Sequence, residues 1–227
     1  MPTASTTSTA PTGRSPRRDA TENRAALLAA ARVVLNRDPD AGLDAIAAEA
    51  GLTRRAVYGH FANRDALLKE LVTTGAARVA ASLAGVDHPD PLVRLALIAS
   101  QMWQEVDSVR VMTLFAVRGP FQGLVAEQLR PVRAQLLGAV RHRARPDASA
   151  GSAASRSRVR TDIDPETLAR LIEGAAIAVL DEATRAGIPA DAGRRLAMLT
   201  VLSVAGLDAA SAGRLIDETP ELGGAAR

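Results

Sequence analysis

The chain has 227 residues with a formal net charge of +3; 47% of the residues are hydrophobic and 23% are charged. Since it contains no cysteine, disulfides and thiolate metal ligands are excluded. No apolar run approaches the length of a membrane span, and the Ser/Thr-rich N-terminus lacks the apolar core of a signal peptide. We therefore expect a cytoplasmic protein with no membrane partner, large enough for one sizeable domain or two small ones.

The first 20 residues are rich in Thr, Ser, Ala, Pro and Gly and contain Arg14, Arg17 and Arg18. Such a composition buries too little apolar surface to order itself, so residues 1–20 are predicted to form a disordered basic arm. The arginines suit contacts to the minor groove or to phosphates beside a bound helix, but a solubilising tail explains them equally well.

Residues 43–61, LDAIAAEAGLTRRAVYGHF, have the pattern of a helix, a tight turn and a second helix. Apolar residues recur at helical spacing in the first half, at Leu43, Ile46, Ala47 and Ala50. Gly51 permits the left-handed backbone that a tight turn demands. Thr53 is placed to cap the second helix, and Ala56, Val57 and Phe61 form its apolar stripe. The pattern predicts a helix-turn-helix with Arg54 and Arg55 at the exposed start of its reading helix.

These residues resemble the TetR (tetracycline-repressor) family of transcriptional regulators over about Thr21 to Leu71. The first helix of that family is similar to Arg24 followed by Leu27, Leu28, Ala30, Ala31, Val34 and Leu35; the start of its fourth helix is similar to Asn63, Arg64, Asp65, Ala66, Leu67 and Leu68. The loop before the second helix departs from the family, because residues 38–42 (DPDAG) stand where a Thr or Ser usually precedes that helix.

The predicted DNA contacts come from this pattern and from the resemblance. Thr53 is expected to cap the helix or bind a phosphate, and Arg54 and Arg55 have the planar fork that pairs with guanine, although either one can bind phosphate instead. Ala56 can touch a thymine methyl, with packing as the alternative, and Gly59 leaves room for the DNA backbone unless the helix simply ends there. The resemblance implies phosphate contacts by Tyr58, His60 and Arg64.

The rest of the chain has helical patterns, so the predicted fold class is all-α. The resemblance implies an N-terminal three-helix helix-turn-helix domain followed by a helical ligand-binding and dimerisation domain. The expected bounds are 21–70 for the first domain, 71–218 for the second and 219–227 for a flexible tail. Pro131 should end or kink one helix. Two long helices are predicted near the end, from Asp164 to Ala186 and from Pro189 to about Glu218.

Those last two helices carry apolar stripes, at Leu168, Ile172, Ala175 and Val179, and at Leu199, Leu202, Gly206, Ala209 and Gly213. The stripes suit either an intramolecular core or an interface. Because the two corresponding helices form a four-helix dimer interface in the family, the resemblance implies a homodimer through the two C-terminal helices. A dimer matches a palindromic or pseudo-palindromic operator in double-stranded DNA.

The middle of the chain contains large adaptable apolar residues that suit a small-molecule cavity, at Met102, Trp103, Met112, Phe115 and Phe121, with Gln101, Gln104 and His142 as polar candidates. Each is also an ordinary core candidate. The resemblance implies that an unidentified effector bound there changes the spacing of the reading helices, usually relieving repression.

Other functions have little support. The chain lacks the GxSxG, HExxH and Walker motifs and a Cys nucleophile, so we expect no enzyme, no metal and no cofactor. Asp162 and Asp164 are better explained as helix-capping acids than as metal ligands. The basic stretch 130–160, with eight arginines and one acid, suits a solvated face or an anion site. The main alternative to a ligand-released repressor associated with the nucleoid is an effector-independent or architectural DNA-binding protein.

Overall fold

The computed structural model describes residues 16–141 and 159–223, and over these residues the regular structure is entirely helical. The predicted all-α fold is therefore confirmed. The helices are α1 (Pro16–Arg37), α2 (Leu43–Glu49), α3 (Arg54–His60), α4 (Arg64–Leu83), α5 (Pro91–Val106), α6 (Arg110–Arg118), α7 (Gln122–Gln128), α8 (Arg130–Arg141), α9 (Pro165–Arg185), α10 (Ala190–Ala205), α11 (Ala209–Glu218) and α12 (Pro220–Gly223), with a 3-10 turn at Asp107–Val109.

Side-chain caps explain where several helices begin. The Asn63 side chain accepts a hydrogen bond from the Ala66 amide at the start of α4, and Asp164 accepts one from Thr167 at the start of α9. Asp90 caps α5 in the same way. Each cap satisfies amides that have no partner within the helix. Pro131 lies at the second residue of α8, so the predicted break at this proline is present.

Three segments differ from the sequence-based expectation. α1 begins at Pro16, so residues 16–20 of the expected arm are helical, while residues 1–15 lie outside the described part. The single helix expected from Pro189 to Glu218 is divided, because Gly206 has φ +116° and ends α10 in the left-handed conformation. Leu222, in the expected flexible tail, is fully buried in α12.

Two large apolar cores hold the fold together. The N-terminal core is formed by the four helices α1, α2, α3 and α4, and its residues Leu27, Ile46 and Val57 are completely buried. Met112 of α6 also packs in this core. The second core surrounds α5, which packs against α8 and α10. Since one residue of α6 belongs to the N-terminal core, the two halves of the chain share a packed boundary.

The first of the two predicted stripes faces mainly inward, whereas only Leu202 of the second stripe is buried. Leu168, Ile172 and Leu202 are at most 2% exposed and belong to the second core, and Val179 is buried against α5 and α10. Gly206 is not part of a helical stripe, since it ends α10. The buried members Leu168, Ile172, Val179 and Leu202 therefore stabilise the monomer and are not available to a dimer interface. In the described part of the chain, no helix combines the length and apolar character that crossing a membrane requires.

Candidate nucleic-acid interface and effector cavity

The helix-turn-helix is stabilised by short-range interactions that the sequence predicts. Gly51 has φ +65°, the left-handed conformation predicted for the turn, and its amide donates to Ala48 O. The Thr53 hydroxyl accepts a hydrogen bond from the Ala56 amide at 3.2 Å and caps α3. Val57 is fully buried and fixes the rotation of α3 about its axis. The outer face of this helix is thereby directed to solvent.

Arg54 and Arg55, the two residues at the exposed start of α3, differ in their surroundings. Arg54 forms an ion pair with Asp44 of α2 at 3.2 Å, and its guanidinium lies 5.6 Å from the centre of the Tyr58 ring. Hydrogen bonding to Tyr58 and then the charge of Asp44 raise the pKa of Arg54 above its ordinary value. Arg55 is exposed, and its side chain has no hydrogen bond or ion pair within the described residues. Arg55 is therefore the freer of the two.

The other predicted contact residues of α3 lie on or beside the same surface. Tyr58 is among the most exposed large hydrophobic residues of the described chain, with 47% of its surface exposed, and Gly59 is exposed as well. Ala56 and His60 are half-buried. A Cβ on Gly59 would meet no atom within 4 Å, so packing inside the protein does not demand glycine there. The bound partner remains the predicted reason for it.

Arg24 of α1 holds the C-terminal end of α3 in place. Its Nη1 donates to His60 O at 2.9 Å, its Nε donates to Glu70 of α4 at 2.8 Å, and its guanidinium stacks 4.5 Å from the centre of the Phe61 ring. One side chain thus links three helices behind the reading surface. Such bracing restricts the reading helix to one orientation.

Arg64 has a structural role that the sequence did not reveal. Its Nε donates to Ala41 O at 2.9 Å, and its Nη2 donates to Pro39 O. These bonds close the loop that departs from the family pattern, where Gly42 precedes α2 without a side-chain cap. Because two of its donors are engaged with this loop, Arg64 braces the N-terminal helices, and a phosphate contact would need its remaining donors.

Asn36 connects the N-terminal domain to the helical body. Its Oδ1 accepts hydrogen bonds from the amides of Val111 and Met112 at 3.1 and 3.3 Å, and its Nδ2 donates to Ser108 O at 3.2 Å. Val109, which precedes α6, makes no side-chain cap. Asn36 of α1 therefore supplies the cap for α6 from 75 residues away in sequence.

A cavity of about 660 Å³ lies in the helical body and extends to α1. Three of the predicted pocket residues, Met102, Trp103 and Met112, line it together with Ile98 and Leu180. Its charged lining residues are Arg32, Arg78, Glu105, Arg133 and Glu173, of which only Arg133 belongs to a segment that the sequence singled out, the basic stretch 130–160. They come from five helices, so no local pattern could have grouped them.

Two predicted pocket residues lie elsewhere. Phe115 and Phe121 are outside the cavity lining; their ring centres are 6.1 Å apart, and both pack against the N-terminal core. Gln101 and Gln104 line a smaller polar pocket on another side of α5. His142 lies outside the described residues. The aromatic pair thus belongs to the boundary between the two halves of the chain.

Of the two acids considered for a metal site, Asp164 caps α9, whereas Asp162 and the described arginines of the basic stretch form ion pairs. Arg160 donates to Asp162 at 2.9 and 2.7 Å, which lowers the pKa of Asp162 to about 2. Arg133 donates to Glu173 at 2.8 Å, and Arg141 donates to Glu166 at 3.3 Å. These contacts agree with a solvated, ion-paired face. Nowhere in residues 16–141 and 159–223 do three or more potential metal ligands cluster.

Comparison with known proteins agrees with this geometry. Residues 27–71 match the family "Bacterial regulatory proteins, tetR family". No curated protein matches the sequence.

Three solved structures illustrate the shared fold. LfrR of Mycobacterium smegmatis, solved with proflavine, has a TM-score of 0.60 and 18% identity over 83% of this chain and 97% of its own. SmeT, the repressor of the Stenotrophomonas maltophilia efflux pump SmeDEF, has a TM-score of 0.58 and 21% identity over 82% and 91%. FadR of Bacillus subtilis, solved with stearoyl-CoA, has a TM-score of 0.60 and 16% identity over 81% and 99%.

Proposed function

We propose that this protein, whose helix-turn-helix belongs to the TetR family of bacterial regulators, is a transcriptional repressor that a small-molecule ligand releases from its operator. The observation that carries the proposal is the exposed start of α3, held on a braced three-helix scaffold. Helices presented in this way read base edges in the major groove. We place the protein in the cytoplasm, associated with the nucleoid.

The contacts of α3 suggest how its residues share the work. Arg55, which has no partner in the described residues, is free to bind a guanine through both arms of its fork. Arg54 is tied to Asp44 and Tyr58, an arrangement that suits a phosphate contact fixing the register of the helix. Tyr58, His60 and the capping Thr53 are proposed as further phosphate contacts, with Ala56 and Gly59 facing the groove.

The cavity supports the proposal of ligand control. Its lining includes α1 of the DNA-binding domain, the connecting helix α4, and α6, whose first turn Asn36 caps. A ligand that prefers one arrangement of these helices shifts their equilibrium, and DNA must then disfavour the ligand by the same factor. LfrR and FadR were solved with proflavine and stearoyl-CoA, respectively, which supports a ligand site in this fold.

We also propose a homodimer through the outward face of α9 and α10, because two reading helices must address two half-sites. Leu171 on this face is 48% exposed, the largest fraction among the exposed large hydrophobics of the described chain. Gly174 and Ala178 of α9 are exposed beside it, and Leu199 of α10 is half-buried. Small and apolar residues on adjacent helices permit close packing of a second copy.

Replacing Leu171 with glutamate is expected to raise the dimer dissociation constant by at least about tenfold, because it would bury an unpaired charge in the interface. Sedimentation across a range of protein concentrations measures this constant. Val33→Glu is the matched control, since Val33 is 40% exposed on α1, away from the proposed face. An unchanged dissociation constant in Leu171→Glu would assign the dimer to another surface.

The decisive test of function is selection of bound duplexes from a random library by the full-length protein. Enrichment of one sequence with twofold symmetry is expected, and its half-site spacing would give the separation of the two reading helices. Binding that is strong but indifferent to sequence would favour the architectural alternative. Failure to retain any duplex above background at low salt would reject both.

A further inference from the structure

We infer that the cavity selects an amphipathic ligand with one acidic head group, such as a long-chain carboxylate, held between Arg32 of α1 and Arg78 of α4. The ligand class follows from the charges and the apolar wall of the cavity. Its regulatory consequence rests on the proposed function.

The charged residues that line the cavity carry a net positive charge. Arg133 and Glu173 neutralise each other through a hydrogen-bonded ion pair at 2.8 Å. Arg78 is bound to Glu105 at 3.2 Å, and Arg32 has no hydrogen bond or ion pair within the described residues. Three arginines therefore face two glutamates, and the excess positive charge lies on the Arg32 side.

The environment of Arg32 favours an anion. Burial, followed by the repulsion of nearby Arg78, lowers the pKa of Arg32, while the charge of Glu105 acts in the opposite direction. Glu105 is thus paired with Arg78, and Arg32 is left without a bonded anion. A second carboxylate between them would add charge-assisted hydrogen bonds and relieve the repulsion, whereas an ammonium group would increase it.

The apolar residues that line the rest of the cavity determine the chemistry of the other end of the ligand. Leu28, Ile98, Met102, Val125 and Leu180 present apolar side chains to the cavity. The side chains of Arg78 and Glu105 are 45% and 21% exposed, so the charged end lies near solvent. A ligand with a charged head at this rim and an apolar tail along the wall satisfies both surfaces.

The position of the two arginines links binding to regulation. Arg32 belongs to the first helix of the DNA-binding domain, and Arg78 belongs to the helix that connects this domain to the body. An anion bound to both restrains one helix relative to the other. It can therefore favour one orientation of the reading helix.

Three probes that differ only in their head group test the inference: dodecanoate, dodecanol and dodecylamine, used below their micelle-forming concentrations. Trp103 is the only tryptophan in the sequence and lines the cavity, so its fluorescence in the full-length protein reports binding, with calorimetry as a second readout. We expect dodecanoate to bind about tenfold more tightly than dodecanol, and dodecylamine to bind most weakly.

Arg32→Gln should lower dodecanoate affinity about tenfold while leaving dodecanol affinity within about twofold. Arg37→Gln is the control, because Arg37 is an exposed arginine of the same helix outside the cavity lining. Preserved helical circular dichroism would show that the variants are folded. Equal binding of acid and alcohol, no binding of any probe, or an unchanged acid preference in Arg32→Gln would each overturn the inference.

Because these titrations contain no DNA, they separate the two proposals. An acid preference in a protein that never discriminates between duplexes would retain the ligand assignment and reject the regulator. Selective duplex binding without an acid preference would retain the regulator and reject the ligand assignment. If both hold, dodecanoate should weaken the selected complex in the native protein and much less in Arg32→Gln.

Discussion

Replacing Arg55 with alanine is expected to relax the choice of one operator base pair by about 1 to 3 kcal/mol. The exposed guanidinium has no internal partner in the described chain, so its removal leaves the folded helix intact and deletes only what it binds. The measurement is competition binding with a set of operators, each changed at one position. The loss should concentrate at a single base pair in each half-site.

Arg54→Ala is the matched control, because it removes the same side chain from the adjacent position. Since Arg54 is tied to Asp44 and Tyr58, we expect it to weaken selected and random duplexes to a similar extent and to reduce the salt dependence of binding. Equal losses on selected and random DNA for Arg55→Ala would contradict its assignment as a base reader.

Replacing Gly193 with alanine is expected to destabilise the fold by about 2 to 3 kcal/mol, lowering Tm by about 5 to 10 °C. A Cβ at this position of α10 would lie 2.0 Å from Cζ2 and 2.5 Å from Cη2 of Trp103. The indole cannot easily retreat, because the Arg110 guanidinium lies 4.8 Å from its centre. Arg110 is itself fixed by hydrogen bonds to Ala183 O and Ile188 O at 3.1 and 2.8 Å.

Thermal unfolding at fixed protein concentration measures this effect. Gly138→Ala in α8 is the control, because a Cβ there would meet no atom within 4 Å. Alanine at this helical position should stabilise the protein by up to about 1 kcal/mol. If the Tm of Gly193→Ala equals that of the unsubstituted protein, α5 and α10 do not pack at the observed distance.

The helix-turn-helix was largely predictable because its determinants are local. Gly51, the Thr53 cap and the buried Val57 act within a few residues of one another, so helical spacing and turn chemistry suffice to locate them. Arg64 shows the limit of this reasoning. Its partners lie 23 and 25 residues away in a loop whose path the sequence does not specify.

The body of the protein was predicted less well, for two physical reasons. The αL conformation of Gly206 could not be distinguished from a small residue within a helical stripe, because both explanations suit glycine. An apolar stripe such as that of Leu168 and Ile172 has the same pattern whether it packs inside one chain or against another. The aromatic pair Phe115 and Phe121 was assigned to the cavity by residue type alone, whereas tertiary packing places it at the domain boundary.

The contact of Asn36 with α6 has a mechanical consequence. Two amides of α6 keep their acceptor only while α1 stays within hydrogen-bond reach, and each lost bond costs about 1 kcal/mol. A tilt of the helix-turn-helix domain, which includes α1, would therefore break these bonds and loosen the first turn of α6, which carries the cavity residue Met112. The position of α1 relative to α6 and the shape of the cavity beside Met112 are therefore coupled through Asn36.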